Sequence, residues 1–385
     1  MPLVMASCSR VGDLGDGELA VDGGPGTEPT TTSADVADEP GDATSTTATS
    51  ATDEEPPASV VPGVDAPTER VVPGGDCACA DGSEFSFWTR TADPERVVLY
   101  LAGGGACFSA VTCQPGVVYQ NHVDPNVDPF AGAGILDASQ PDNPLADHSV
   151  VFVPYCTGDV HLGDATTEYS DELTVEHKGY VNASAALDHL AETFGDATEV
   201  VVMGESAGGI AAPLYAGLAS DLLPDAEISV VADSAGAYPD VPQIGAIIGA
   251  SWGVADILPD WPEATGTGLE DWSFPELFVQ AGRHDPDLRL ARHDYAYDAV
   301  QGGFVSFVAA GSGDVLTLIE QNEAQIEAAG VEVASYLAPG IAHTVLRDGR
   351  LYTEEVAGEP LIDWLTSFLA GDPVPDIHCT DCQSG

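Results

Sequence analysis

Apolar and polar positions divide the chain into two unlike parts. Up to about residue 70 there is no periodicity, and TEPTTTSADVADEPGDATSTTATSATDEEPP carries almost no large apolar side chain. Such a segment cannot bury enough surface to offset the entropy of ordering it, which predicts a disordered, self-repelling linker over residues 9–72. From about residue 75 short apolar runs alternate with segments of helical period. FSFWTRTA (85–92), RVVLYLAGGG (96–105), SVVFVPYC (149–156), EVVVMG (199–204), EISVVADSAG (227–236) and VEVASYLAPG (331–340) read as strands. VNASAALDHLAETFG (181–195), GGIAAPLYAGLASDLL (208–223), DVLTLIEQNEAQIEAAG (314–330) and EPLIDWLTSFLAG (359–371) read as helices. Strands that are apolar throughout, alternating with helices, predict an α/β domain over residues 73–375, with a mostly parallel central sheet and helices on both faces. Residues 238–275 look irregular and read as an insertion over the site. A Cys-containing tail, 376–385, follows the closing helix.

Charge narrows the function classes. Among the 385 residues, 63 are Asp or Glu and 10 are Lys or Arg, a formal net of −53, and Lys178 is the sole lysine. No basic patch exists for phosphate contacts, which excludes nucleic acid as a partner. Self-repulsion of this size destabilises a compact state unless salt screens it, which fits a salty habitat; the alternative is an acidic, soluble exported protein. No run of eighteen apolar residues predicts a membrane-spanning helix. MPLVMASC, residues 1–8, ends in small residues before a cysteine, like a truncated lipoprotein cleavage site. This predicts lipidation of Cys8, and a monomeric domain that is anchored at the cell surface or secreted. Export in turn favours disulfides. Cys107 and Cys113 flank a short loop and are expected to pair, whereas Cys77, Cys79, Cys156, Cys379 and Cys382 cannot be matched from sequence.

The chemistry centres on Gly204-Glu205-Ser206-Ala207-Gly208. G-x-S-x-G alone is weak, but between a buried strand and an Ala-rich helix it fits a nucleophile elbow. Ser234 sits in a second Ser-Ala-Gly, but Pro239 and Pro242 prevent an immediate helix there. A serine nucleophile needs a base and an acid that orients the base, in the order Ser, acid, His for an α/β-hydrolase-like fold. His343, after a strand and a Pro-Gly turn, is the expected base. For the acid, SFPE (273–276) reads as a capping box with Ser273 at N-cap, which makes LFVQAG a helix and RLARHDYAYDAVQ a strand ending at Asp298. Asp298 is therefore favoured, Asp285 is the alternative, and Asp294 and Asp233 are further candidates. Gly103, Gly104 and Gly105 follow a buried strand, so the amides of Gly104 or Gly105, with that of Ala207, are the expected oxyanion donors. Asp159, His161 and His177 are candidates for substrate positioning. The mechanism requires no metal or cofactor.

Taken together, LYLAGGGACFSAVTC, FVPYCTGDVHLGD, HKGYVNASAALDHL, VVMGESAGGIAAPLYA, YAYDAVQ and GIAHTVL resemble the pectin acetylesterase family, which includes the carboxylesterase Notum. The likeness spans roughly residues 77–350. It implies an α/β-hydrolase fold and metal-free serine esterase chemistry, with Ser206 as nucleophile, Asp298 as acid and His343 as base. Gly104, Gly105 and Ala207 fall on the oxyanion donors. One departure stands out: Gly105 replaces a tryptophan of Notum, which reshapes the acyl pocket. The expected activity is hydrolysis of short acyl esters, acetyl above all, on a small-molecule or carbohydrate alcohol. The alternatives are a thioesterase or amidase with the same triad, or a non-catalytic surface-binding domain.

Overall fold

The computed structural model describes residues 63–383, apart from 133, 309, 310 and 312. In chain order the strands are β1 (Thr68–Val71), β2 (Phe87–Arg90), β3 (Asp93–Leu101), β4 (His148–Val153), β5 (Ala165–Ser170), β6 (Leu173–His177), β7 (Glu199–Glu205), β8 (Glu227–Asp233), β9 (Arg289–Tyr295), β10 (Ala334–Ala338), β11 (Glu355–Val356), β12 (Glu359–Pro360) and β13 (Ile377–His378). The helices are α1 (Gly179–Thr193), α2 (Ala207–Leu222), α3 (Pro242–Trp252), α4 (Phe274–His284), α5 (Ala299–Val308), α6 (Val315–Ala328) and α7 (Leu361–Leu369).

Nine strands form one sheet in the order β1-β2-β4-β3-β7-β8-β9-β10-β13. β1 and β2 run antiparallel at one edge, and every pairing from β4 to β13 is parallel. The chain has an α/β fold, a large and mostly parallel sheet flanked by helices. The reason is visible in β7, where Val200, Val201, Val202 and Met203 are all fully buried. A strand covered on both faces needs an apolar residue at every position, not at alternate ones. α2 follows the same logic. Every residue from Ala207 to Ala219 is buried, so this helix is apolar all round.

β3 pairs with β4 on one side and β7 on the other. The chain thus leaves β3 in one direction and later returns in the other. In open α/β sheets such a switch point, at the carboxyl ends of the strands, leaves a crevice for ligands.

Three elements differ from the sequence expectation. The 238–275 region is not wholly irregular: it contains α3 and three short 3-10 turns. Pro242 sits in the first turn of α3, where a missing N–H costs nothing. Thr68–Val71 pairs with β2 although it falls within the expected linker. Its side chains are mostly exposed, so it leaves little apolar signal, although Arg70 donates to Ser86 Oγ at 2.9 Å and pairs with Glu84. At the other end Ile377–His378 adds to β10, which brings the expected tail into the sheet. No described helix is long and apolar enough to cross a membrane. The linker up to residue 62, with Cys8, lies outside the described residues.

Candidate active site

Ser206 sits between β7 and α2 with φ 53° and ψ −117°. This positive φ is strained for a serine, and the surrounding packing imposes it. A Cβ on Gly204 would strike the backbone of Gly208, and one on Gly208 would strike the carbonyl of Leu101. The glycines of the motif therefore let α2 close directly onto β7 and β3. Ala207 opens α2, so its N–H lies among the unpaired amides at the positive end of the helix.

Asp298 and His343 meet directly. Nδ1 of His343 donates to Oδ2 of Asp298 at 2.6 Å, and Asp298 is fully buried. Asp298 lies three residues beyond the end of β9, not at the strand's last position as the sequence reading had it. Its Oδ1 accepts the amides of Val300 (2.8 Å) and Gln301 (3.0 Å), and Nε2 of Gln301 donates to Oδ2 (3.1 Å). The loops after β9 and β10 zip together, with Tyr297 N donating to Gly340 O and Ala299 N to Ile341 O. Donation from Nδ1 leaves Nε2 of His343 as a bare lone pair. Among the described residues no hydrogen bond joins Ser206 Oγ to His343, and neither atom is engaged elsewhere. Catalytic contacts are often looser before substrate binds.

The alternative acid is on the wrong side of the sheet. Asp285 caps the C-terminus of α4 and precedes β9, which places it at the amino edge. The capping-box reading located α4 correctly, yet Ser273 makes no side-chain cap bond and its hydroxyl is buried without a partner. Glu276 instead accepts from Gln325 at 2.8 Å.

Asp294 and Asp233 take supporting positions. Oδ1 of Asp294 accepts from Nε2 of Gln301 at 3.0 Å, which steadies the side chain that holds Asp298. Asp233, at the end of β8, accepts Nδ1 of His293 (2.9 Å) and the amides of Val345 (2.7 Å) and Leu346 (3.0 Å). Burial opposes its ionisation, but the hydrogen bonds and the charge of His293 outweigh burial and hold the carboxyl below its usual range. Ser234 Oγ accepts the amide of Thr344 at 2.9 Å. Three consecutive amides after His343 are thus held by residues 233 and 234. From the sequence, Asp233 reads only as a candidate acid and Ser234 only as a second Ser-Ala-Gly; their sole signal is their position at a strand end.

Asp159, His161 and His177, the candidates for substrate positioning, turn inward. All three are buried and bonded to the protein. Asp159 accepts from Thr157 Oγ1 (2.6 Å) and Gly179 N (2.7 Å), and burial raises its carboxyl to about 6 against those bonds. His161 Nε2 donates to the carbonyl of Ala102 at 2.9 Å, and His177 Nδ1 to that of Thr157 at 2.9 Å. Burial lowers both imidazoles to about 4. They organise the loop after β4 and, through Ala102, brace the glycine turn after β3.

Disulfides join Cys107 to Cys113, as expected, and also Cys79 to Cys156 and Cys379 to Cys382. The Cys107 carbonyl accepts Nε1 of Trp252 at 2.7 Å, which ties the glycine-turn loop to the end of α3. Between them lies an apolar cavity of about 40 Å³, lined by Gly105, Ser206, Ala207, Trp252, Phe274 and Phe304 among others.

A family profile described as Pectinacetylesterase matches residues 72–250, which include the glycine turn and Ser206. Over this segment the chain is similar to the pectin acetylesterase family. It is 31% identical over 144 residues to palmitoleoyl-protein carboxylesterase notum2 of Xenopus laevis, covering 34% of this chain and 28% of that protein. It is 26% identical over 176 residues to pectin acetylesterase 5 of Arabidopsis thaliana, covering 43% of this chain and 40% of that one. The alignments thus span well under half the length of either relative. The solved structure of the Wnt deacylase Notum from Drosophila superposes with a TM-score of 0.60 at 17% identity, over 82% of this chain and 97% of that chain. Asp298 and His343 lie beyond the matched profile, so their pairing rests on the geometry alone.

Proposed function

We propose that the chain is an exported serine carboxylesterase that removes short acyl groups, acetyl first among them, from a small-molecule or carbohydrate alcohol. The observation that carries this reading is the 2.6 Å pairing of His343 with buried Asp298, at the same sheet edge as a strained serine that opens a helix.

In this mechanism Nε2 of His343 takes the proton of Ser206 as Oγ attacks the ester carbonyl. Asp298 fixes the tautomer and stabilises the imidazolium. The amides of Ala207 and of Gly104 or Gly105 receive the oxyanion. One such donor is typically worth on the order of 10²–10³ in turnover. Collapse breaks the C–O bond, and the alcohol leaves with the proton from His343. Water, deprotonated by the same nitrogen, attacks the acyl-enzyme and frees the acid and Ser206.

The cavity beside Ser206 supports a short acyl group. It is small, about 40 Å³, and its lining is apolar. Three described disulfides support an oxidising, extracytoplasmic location; lipid attachment at Cys8 remains part of this proposal. The test is a series of p-nitrophenyl esters from acetate to octanoate, assayed in molar salt. Acetate to butyrate should turn over fastest, and Ser206→Ala should abolish the activity. Equal rates with Ser206→Ala would leave the domain as a binding module.

A further inference from the structure

A second, larger cavity, with a volume of about 540 Å³, is bordered by Ala102 and Gly103 at the start of the glycine turn. Its wall includes Gly103, where an added Cβ would come within 2.9 Å of Ser206 Cβ. Gly105, two residues on, lines the small apolar cavity instead. The turn that is placed to receive the oxyanion therefore borders two spaces, one small and apolar, the other within the ordinary size range of ligand sites.

We infer that the larger cavity receives the alcohol portion of the ester, and that this alcohol is a neutral oligosaccharide. This rests on the esterase reading and names its substrate class.

Size gives the first argument. A carbonyl carbon attacked by Ser206 has two substituents, and only the larger cavity can hold one of several rings. Lining chemistry gives the second. Val127 supplies exposed apolar surface, and Gln120 supplies an exposed amide. Sugar rings present both C–H faces and hydroxyl pairs, which such a mixture matches.

Charge gives the third argument. Arg347 lies 5.2 Å over the Phe152 ring and 3.7 Å from Glu205, with 35% of its side chain exposed. Stacking holds the guanidinium in place while leaving donors free for hydroxyl oxygens. Glu205 is nearly buried, and burial raises its carboxyl in spite of the opposing pull of Arg347. Asp124 shares this wall with Arg347 and Glu205, and the chain carries −53 overall, so a uronate meets excess negative charge. A neutral sugar avoids that repulsion.

The experiment uses the full chain in molar KCl. Calorimetry on Ser206→Ala measures binding of deacetylated xylotetraose and of tetragalacturonate, with no turnover needed. The neutral tetramer should bind and the uronate should bind at least tenfold more weakly. Ser206→Ala/Arg347→Met and Ser206→Ala/Gln120→Ala should each weaken xylotetraose at least fivefold, while Ser206→Ala/Glu332→Gln, remote and exposed, should not. On the active chain, Arg347→Met should lower kcat/KM for acetylated xylotetraose relative to p-nitrophenyl acetate at least fivefold, through KM. Tighter binding of the uronate, or no effect of either cavity variant on binding, overturns the inference and leaves the esterase reading intact. Sugar binding without any ester hydrolysis removes the esterase reading and leaves the cavity as a carbohydrate site.

Discussion

The buried carboxylate of Asp233 accepts the backbone N–H of Val345 at 2.7 Å, two residues beyond His343. Because Asp233 ends β8 and Ser206 follows its neighbour β7, this bond ties the histidine loop to the middle of the sheet. The Thr344 amide on Ser234 and the Leu346 amide on Asp233 complete the attachment. Asp233→Asn should therefore lower kcat more than it raises KM, by between about tenfold and a hundredfold, since a small misplacement of a catalytic group has that effect. Steady-state kinetics on the folded variant check it.

Asp298→Asn should reduce kcat by on the order of 10⁴, through loss of the correct tautomer of His343. Asp285→Asn should stay within about twofold of the parent, since Asp285 sits at the opposite edge of the sheet. Equal losses would mean that the Asp298–His343 pair is structural.

Gly208→Ala should be recovered poorly or unfold early. The added methyl would enter the carbonyl of Leu101 in the middle of the sheet, and overpacking of this kind typically costs about 1–3 kcal/mol. Thermal denaturation against the parent gives the answer. An unchanged melting temperature would mean that α2 can lift off β3 freely.

Acid should destabilise the fold through His161 and His177. Both imidazoles fall to about 4 when buried, below their ordinary value. The unfolded chain therefore binds more protons than the native one between about pH 6.5 and pH 4, and stability falls as pH drops through that window. Asp159, raised to about 6, works in the opposite direction, because the native state binds its proton more tightly. The two histidines outweigh it by about one proton. Urea unfolding of His177→Gln at pH 7 and pH 4.5 should show a pH dependence about one proton flatter than the parent's.

Salt should raise the melting temperature. The net charge of −53 repels itself, and the screening length shortens from about 10 Å at 0.1 M to about 3 Å at 1 M. A melting temperature that is the same in dilute buffer and in 2 M KCl would argue that the acidity serves another purpose.

By itself the sequence determined the elements whose signals are local. Short, valine-rich apolar runs such as Val200–Met203 fit strands covered on both faces, and that pattern gave the parallel sheet. The strand, Gly-x-Ser-x-Gly and helix order located Ser206, because its glycines answer to backbone contact a few residues away. The chain order placed His343 after the last long strand. Tertiary structure alone decided what depends on partners far apart in the chain. Asp298 is separated from Asp285 by the strand between them, and only the direction of that strand shows which end carries the site. Asp159, His161 and His177 have the composition of a ligand-binding cluster, yet burial turns them inward to backbone groups. The hold of Asp233 on residues 345 and 346 crosses more than a hundred positions through main-chain amides, which are present at every residue and so leave no mark in the sequence.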